Sequence, residues 1–321
     1  MGLECDHEPC RFLIGRTTLD DKSIIKSMGR RTPVSWLIAL MGMLVRAAPY
    51  APQAQTTEQS AEPGGVVQLT VLDDPAPDRV LGTVFGRAIV FDRDPAGTAW
   101  HALVGIDLDT KPGTYRVSLE AVREGRREPT ATYSIRVITK RFPTRRLRVA
   151  SEYVNPRPDD LKRIERDVKR LAALFDPVTP RHWKGSFVTP VTGQPTSNFG
   201  VRSIFNGQPR APHAGIDFAS PAGTPVRASN AGVIVLAEDL FFTGNTVVID
   251  HGAGLYSLFA HLSTLAVAEG QMVDRGVVVG AVGATGRVTG AHLHWAIRLN
   301  GARVSPLSLL AVVGTGQVDG R

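Results

Sequence analysis

The stretch TGAHLHWAI, Thr289–Ile297, is the segment from which the fold and the chemistry of this chain are best approached. Its flanking pattern predicts a β-strand, in which side chains two positions apart point to the same face. His292 and His294 would then stand side by side, roughly 7 Å apart. Two imidazoles on one face are typical of core packing, a proton relay or a metal site, and other segments must distinguish among these.

The composition indicates a folded protein with anionic partners. The chain has 321 residues, enough for two domains and tails, with 21% charged and 43% hydrophobic residues. A net charge of +7 favours a cell-wall polymer, a membrane surface or nucleic acid. Nucleic acid is not expected as a partner, because the sequence contains no basic–aromatic binding motif.

An export signal is predicted at residues 28–54. Arg30 and Arg31 precede an apolar run of twelve residues, 34–45, and small residues follow. Twelve apolar residues are too few to span a bilayer comfortably, so we expect cleavage rather than a retained anchor. The protein is therefore expected in the periplasm or cell envelope, touching the membrane only transiently through its signal.

The signal begins unusually late, which predicts that residues 1–27 are a mis-annotated start. This segment holds both cysteines, Cys5 and Cys10, in the sequence CDHEPC. Two cysteines and one histidine without a second pair make a poor zinc site. The exported protein would then have no cysteine and need no disulfide.

Short alternating runs between turn residues predict an immunoglobulin-like β-sandwich at residues 64–140. We find no chemistry in it, and His101 is interpreted as structural. The preceding residues 55–63, QTTEQSAEP, are predicted to be a flexible linker.

Residues 141–184 are predicted to be a basic linker followed by an amphipathic helix. The basic segment is KRFPTRRLRV, and a solvated basic helix face is favoured over one that contacts an anionic polymer. The helix is expected to be a spacer between the two domains. Its apolar positions form one predicted stripe: Leu161, Ile164, Val168, Leu171 and Phe175.

Residues 185–321 are rich in glycine and valine and predict an antiparallel sheet or compact barrel. HAGID places His213 four residues before Asp217, and FAHLS supplies His261. Together with HLH, this gives three histidine segments and one aspartate in about 80 residues. Catalytic zinc favours three nitrogen or oxygen ligands plus water, so the set indicates a zinc site more strongly than any single histidine.

These motifs resemble the M23, or LytM-type and lysostaphin-like, zinc metallopeptidases, which cut peptide bonds of peptidoglycan. The resemblance covers H-x-x-x-D, A-H-L, T-G-R-x-T-G and H-L-H, running from about Ser197 to Leu310. It implies a mainly β protein with a LytM-type peptidase domain, similar to two-domain members from Gram-negative bacteria. By this resemblance His213, Asp217 and His294 hold one zinc ion per chain, and His261 and His292 are catalytic.

The implied reaction is attack of zinc-bound water on a peptide carbonyl, assisted by the two histidines. The sequence does not distinguish which histidine is the base and which the acid. The two-domain form favours a D,D-endopeptidase acting on D-Ala to diaminopimelate cross-links, over one that cuts glycine-rich bridges. Expected partners are peptidoglycan peptide stems and a regulatory cell-envelope protein. The β-domain or the helix is a candidate for blocking the groove until a partner displaces it.

Two other functions are alternatives to the enzyme. One is a catalytically inactive, peptidoglycan-binding activator of another cell-wall hydrolase, but such relatives typically lose ligand residues. The other is a biotinyl or lipoyl carrier, suggested by the glycine turns of VAEGQMVDRGVVVGAVG. Residues 185–321 contain no lysine to carry the cofactor, which excludes a carrier.

Several neighbouring residues have weaker signals. Arg202 and Asn206 are candidates for substrate contact or for shaping the groove, with turn stabilisation as the alternative. Phe241 and Phe242 are expected on a loop, as a possible groove wall. Trp295 is expected in the core, and His251 is expected to be structural.

Overall fold

A computed structural model describes residues 56–316, apart from 73–75, 95, 131, 150 and 152–153. Residues from Pro52 onward group into one compact unit. The predicted export signal and both cysteines lie outside the described residues, and the predicted domain boundaries stay predictions. Among the residues described, no helix is both long and apolar enough to cross a membrane.

Two sheets at residues 56–137 share one apolar core. Their strands are β1 (Thr56–Ala61), β2 (Val66–Leu72), β3 (Arg79–Val84), β4 (Arg87–Val90), β5 (Asp92–Arg93), β6 (Ala99–Gly105), β7 (Gly113–Arg123), β8 (Arg126–Pro129) and β9 (Thr132–Val137). The larger sheet has the order β1-β9-β7-β3-β4, with β8 also paired to β7, and the smaller has the order β2-β6-β5. Leu69 of one sheet and Ile135 of the other are fully buried in the shared core.

Strand β1 occupies most of the segment predicted to be a linker. It pairs in parallel with β9, with Thr57 opposite Tyr133 and Gln59 opposite Ile135. The prediction of a flexible linker at residues 55–63 is therefore wrong over Thr56–Ala61. This polar run lacks an apolar alternation, and backbone hydrogen bonds to a strand about 75 residues away hold it extended.

A nine-stranded antiparallel sheet forms the second apolar core. Its strands are β14 (Gly215–Phe218), β15 (Pro225–Arg227), β16 (Gly232–Leu240), β17 (Gly244–Gly252), β18 (Leu255–Leu265), β19 (Met272–Val273), β20 (Val278–Val282), β21 (Leu293–Leu299) and β22 (Ala302–Val304). The main path runs β14-β21-β18-β17-β16-β19. Trp295, Phe259 and Ile216 are fully buried beneath it. The predicted mainly β fold is confirmed, as is the core position of Trp295.

Two smaller sheets complete the strand inventory. Their strands are β10 (Thr144–Leu147), β11 (Phe187–Val188), β12 (Arg202–Phe205), β13 (Gln208–Pro209) and β23 (Thr315–Gly316). Strand β10 pairs in parallel with β12, and Arg145 lies opposite Ser203. Part of the segment predicted to be a basic linker is therefore a strand, joined to a hairpin that precedes β14.

Helix α1 (Pro158–Leu174) packs on the outer face of the nine-stranded sheet, and α2 (Pro306–Val313) follows β22. Leu171, Leu174 and Phe175 contact the apolar cluster around Leu236 and Tyr256. The prediction that the helix is a spacer between domains is wrong, because its apolar end is partnered by this sheet.

The predicted apolar stripe of α1 is also wrong in part. Leu161 is 52% and Val168 58% exposed, whereas Asp167 is buried and accepts a hydrogen bond from the backbone N–H of Phe241 at 2.8 Å. The basic side chains pair with the sheet, Arg163 with Asp239 at 2.7 Å and Arg170 with neighbouring glutamates. The face of the helix toward the sheet therefore combines ion pairs with the apolar end, and differs from the face that apolar periodicity predicts.

A polar contact fastens the β-sandwich to the nine-stranded sheet. The Arg303 guanidinium donates hydrogen bonds to Asp107 and Asp109, each at 2.6 Å. Burial opposes ionisation of Asp107, but the hydrogen bonds from Arg303 outweigh it and hold the pKa of Asp107 at about 2. Val66 and Leu108 of the sandwich region belong to the core of the sheet, so the two parts share buried surface.

His251 is a buried structural histidine, as expected from its sequence. Its Nδ1–H donates to the carbonyl oxygen of Ala231, and the Ser257 hydroxyl donates to its Nε2, both at 2.8 Å. Burial lowers the pKa of His251 from 6.5 to about 4. The folded protein therefore holds this ring neutral, while the unfolded chain binds a proton below about pH 6.5.

We expect acid to lower the free energy of unfolding through His251. The contribution of the neutral ring to the free energy of unfolding is complete above about pH 6.5 and is lost as the pH falls toward 4. The loss is about 3 kcal/mol, because each unit of pKa difference between the folded and unfolded states corresponds to about 1.36 kcal/mol. Urea denaturation at pH 7 and pH 4 measures this loss. The His251→Gln variant is expected to be less stable at pH 7 but to lose about 3 kcal/mol less on acidification. Equal losses in the two proteins would show that His251 does not carry the effect.

Candidate metal centre

Three side chains converge at one end of the nine-stranded sheet. His213 Nε2 and His294 Nδ1 each lie 2.9 Å from Asp217 Oδ1, and the two nitrogens lie 3.0 Å apart. The structure therefore brings together the three residues that the sequence resemblance implied to be metal ligands. Among the described residues, no other group of three or more histidine, cysteine, aspartate or glutamate side chains is compact enough to hold an ion.

Strand register places two of the three groups. Asp217 of β14 lies directly opposite His294 of β21 in an antiparallel pair. His213 precedes β14, and its backbone N–H donates to Val201 at 2.9 Å. Gly215 leaves room for this arrangement, because a Cβ there would lie 2.4 Å from the Trp295 carbonyl oxygen and 2.7 Å from His294 Cε1.

The donor set fits a zinc ion. His213 Nδ1 lies 3.1 Å from the Asn198 carbonyl oxygen, which only accepts, so this nitrogen carries the proton and Nε2 presents its lone pair. Two imidazole nitrogens and one carboxylate oxygen are the ligand types of catalytic zinc sites. Tetrahedral ligands at about 2.0–2.1 Å from zinc lie about 3.3 Å from one another, close to the separations found here.

The ionisation states also suit a cation. Burial opposes ionisation of Asp217, but the imidazoles of His213 and His294 beside it outweigh burial and hold the pKa of Asp217 well below its usual range. Burial lowers the pKa of His294 against the opposing effect of Asp217. A carboxylate and a neutral imidazole are the forms that bind metal.

His261 and His292 lie beside the three converging groups. Their ring centroids are 4.8 Å apart, and His292 Nε2 lies 4.0 Å from Asp217 Oδ1. His261 Nδ1 donates to the Thr285 carbonyl and His292 Nδ1 to the Gly290 carbonyl, both at 2.9 Å. In the neutral ring this tautomer leaves Nε2 without a proton, able to accept one from a group in the site.

The backbone of His261 is held in a conformation that non-glycine residues rarely adopt. Its φ is +65°, and its N–H donates to the Thr243 carbonyl at 2.8 Å. The pairing register of β18 shifts next to this residue, which re-aims the side chain. Burial, followed by the charges of His294 and His292, lowers the pKa of His261 to about 3, so the ring is neutral at pH 7.

A cavity of about 480 Å³ opens onto these five side chains. Its described lining comes from residues between Arg145 and His294, with none from the β-sandwich or α1. The described residues of those regions do not line the cavity, and blocking of the groove stays a prediction that a comparison of residues 185–321 with residues 64–321 would test. Phe242 lines the cavity, as expected of a groove wall, whereas Phe241 is not among its lining residues.

Three arginines and one aromatic residue that line this cavity were not predicted from the sequence: Arg145, Arg210, Arg287 and Phe205. Arg287 lies inside the T-G-R-x-T-G motif and Arg145 inside the basic segment, so the motif and the charge run were the available signals. Arg202, the arginine that was considered, does not line the cavity. Asn206 exchanges two hydrogen bonds with the backbone of Val149 and stabilises the attachment of β10.

Comparisons with known proteins give a consistent pattern. Residues 211–306 match peptidase family M23. Over 97 residues the chain is 52% identical to DD-carboxypeptidase/endopeptidase Mpg of Neisseria meningitidis, covering 30% of this chain and 22% of that protein. Over 113 residues it is 44% identical to peptidoglycan DD-endopeptidase ShyA of Vibrio cholerae, covering 35% and 26%. The chain thus spans about a quarter of the length of these relatives.

A solved structure matches a much larger part of the chain. It is the crystal structure of a protein described as an M23 peptidase from Pseudomonas aeruginosa, with 37% sequence identity and a TM-score of 0.61. The match covers 77% of this chain and 94% of that one. The similarity therefore extends well beyond the segment that carries the metal-site residues.

Proposed function

Because the chain belongs to peptidase family M23, we propose that it is a zinc-dependent peptidoglycan endopeptidase. The observation that carries the proposal is the convergence of His213 Nε2, Asp217 Oδ1 and His294 Nδ1 within 3.0 Å of one another. Two more histidines face the same cavity with free Nε2 atoms. One metal-binding group and two proton-transfer groups are the parts that hydrolysis of a peptide bond requires.

In this proposal His213, Asp217 and His294 hold one zinc ion. When bound, zinc supplies Lewis-acid chemistry and makes water more acidic. Two neutral imidazoles and one carboxylate leave a net charge of about +1 on the site with Zn²⁺. This charge favours a water or a carbonyl oxygen of the substrate next to His261 and His292.

The two remaining histidines move the protons. One Nε2 accepts a proton from the attacking water while the water oxygen bonds to the peptide carbonyl carbon. The C–N bond then breaks, and the amine leaves with a proton delivered from a protonated imidazole. The backbone carbonyls of Thr285 and Gly290 hold the two rings through Nδ1, so both can exchange protons at Nε2 without rotating.

The proposed substrate is the D-Ala to diaminopimelate cross-link. Support comes from the relatives Mpg and ShyA, whose names describe DD-endopeptidases. The net charge of +7 suits a polyanionic cell wall. We propose the periplasm or cell envelope as the location, reached through the export signal at residues 28–54, and a regulatory envelope protein as a further partner.

An inactive activator that only binds peptidoglycan is the alternative. It is disfavoured because all five histidine and aspartate positions are filled and their side chains face one cavity. Such a protein would have no need for three converging donors with the ionisation states of a metal site.

Digestion of purified sacculi tests the proposal. We expect the purified protein to convert cross-linked muropeptide dimers into monomers, as measured by mass spectrometry of the digest. Treatment with 1,10-phenanthroline should abolish the conversion, and added zinc should restore it, because the donor set requires a metal. Unchanged dimers with zinc present would overturn the endopeptidase, and full activity in the chelator would overturn the metal dependence.

A further inference from the structure

The cavity beside the candidate metal centre has an excess of positive charge. Its described lining contains three arginines, Arg145, Arg210 and Arg287, but only one carboxylate, Asp217. Asp217 is already engaged by His213 and His294. Among the described residues, none of the three arginines has a carboxylate partner. The excess charge therefore faces whatever enters the cavity.

Arg145 is oriented without being neutralised. Its guanidinium donates to the hydroxyls of Ser203 at 3.2 Å and Ser197 at 3.0 Å. Ser197 pairs through its backbone with Asp217, whose N–H donates to the Ser197 carbonyl at 3.1 Å. Two neutral hydroxyls thus orient the Arg145 guanidinium without neutralising its charge. One of them belongs to Ser197, which pairs with Asp217 of the candidate metal site.

Arg287 is held from a second side. Its guanidinium lies over the rings of Phe242 and Phe205, 4.5 and 5.2 Å from their centroids. Burial and the charge of Arg210 lower the pKa of Arg287, which reflects like charges in a partly buried space. Arg210 itself has a buried Nε without a hydrogen-bond partner.

We propose that these arginines bind a carboxylate on the α-carbon of the leaving amine, an inference that rests on the proposed function. A guanidinium cluster without anionic partners is costly, and a carboxylate ligand offsets that cost through charge-assisted, bidentate hydrogen bonds. In a D-Ala to diaminopimelate cross-link, the amine released by hydrolysis carries a free carboxylate on its α-carbon. A terminal D-alanine of a peptide stem carries the same group, whereas a residue within a glycine bridge has an amide there.

The arginine cluster would then determine specificity. We expect the enzyme to select bonds whose leaving amine carries a carboxylate on its α-carbon, and to cleave neutral bridges poorly. Strand β10 delivers Arg145 to the groove, so the segment before the matched family region contributes to substrate choice.

Synthetic substrates test this selection. The purified zinc-loaded protein is given a cross-linked dimer with the free diaminopimelate carboxylate, the same dimer with that carboxylate amidated, a glycine-bridged peptide, and a stem ending in D-Ala-D-Ala. We expect kcat/KM on the acid dimer to exceed that on the amide by about tenfold to 100-fold, the range for a hydrogen bond to a charged group. We expect the D-Ala-D-Ala stem, whose leaving amine carries the same carboxylate, to be cleaved, and the glycine-bridged peptide to be a poor substrate.

Arginine variants assign the selection to the cluster. Arg145→Gln is expected to lower kcat/KM on the acid dimer by about tenfold to 100-fold and to leave the amide unchanged. Arg146→Gln is the matched control, because Arg146 is adjacent on β10 and does not line the cavity. Zinc content and Tm check the fold, and Arg287→Gln replaces the first variant if that protein does not fold.

Three results separate the possible failures. Equal cleavage of acid and amide dimers by the unaltered protein would overturn the inference while leaving the endopeptidase intact. An equal loss on both dimers in Arg145→Gln would also overturn it, since the arginine would then serve the fold or the reaction in general. No cleavage of any peptide by the zinc-loaded protein would overturn the proposed function and this inference with it.

Discussion

Replacing Asp217 by Asn is expected to remove zinc from the protein and to lower peptide hydrolysis by roughly 1,000-fold or more, since a metal contributes several kcal/mol to such a reaction. Asp217 Oδ1 lies 2.9 Å from both His213 Nε2 and His294 Nδ1 and is the one carboxylate of the set. An amide is nearly the same size but carries no charge, so the remaining neutral ligands leave the full charge of Zn²⁺ in a partly buried site.

Metal analysis after dialysis measures the first effect, and muropeptide cleavage measures the second. Asp239→Asn is the matched control, because this carboxylate of β16 is 58% exposed and pairs with Arg163 outside the cavity. The control should keep one zinc per chain and full activity. If Asp217→Asn retained stoichiometric zinc, the assignment of Asp217 as a ligand would be wrong.

Replacing His261 by Asn is expected to leave zinc bound and to lower activity by about 100-fold to 10,000-fold, the contribution of a positioned acid or base. Asparagine tolerates the left-handed backbone at this position, where φ is +65°, better than alanine does. The backbone hydrogen bond from His261 to Thr243 is kept in the variant, so the bend of β18 should persist. The lost activity then reports the imidazole.

The second histidine gives a further check on this prediction. His292→Asn should behave similarly, and the double variant should lose little more than either single one if both rings serve one proton transfer. His101→Asn is the control, because His101 lies on β6 and contacts Thr70 away from the cavity. Loss of zinc in His261→Asn would mean that this ring holds the metal instead.

The fold class and much of the candidate site could be predicted from the sequence, because apolar runs and motif spacings are properties of short segments. Glycine-separated apolar runs predict short strands, and the nine-stranded antiparallel sheet is built from them. The spacings H-x-x-x-D and H-x-H mark His213, Asp217, His292 and His294, and the structure brings these four to one cavity. Their assigned roles stay predictions until the variants are measured.

The segments that the sequence does not predict correctly are those whose partners are distant in the chain. The polar run at β1 is a strand only because β9 supplies its hydrogen bonds. Helix α1 is oriented by its apolar end and by ion pairs of Arg163 and Arg170 with Asp239 and Glu238 of β16 and with Glu269. No periodicity within either segment contains this information.

Residue types and spacing were enough to predict the strand-rich class, the donor residues of a candidate zinc site and their grouping within one region. Which of their atoms meet depends on the tertiary structure. The β14–β21 register sets Asp217 opposite His294, and the bend at His261 turns a third imidazole toward them. The parallel pairing of β10 with β12 brings Arg145 to the same cavity from outside the motif region. The physical reason is that residue type and spacing are local properties, whereas strand register depends on hydrogen bonds and packing between segments far apart in sequence.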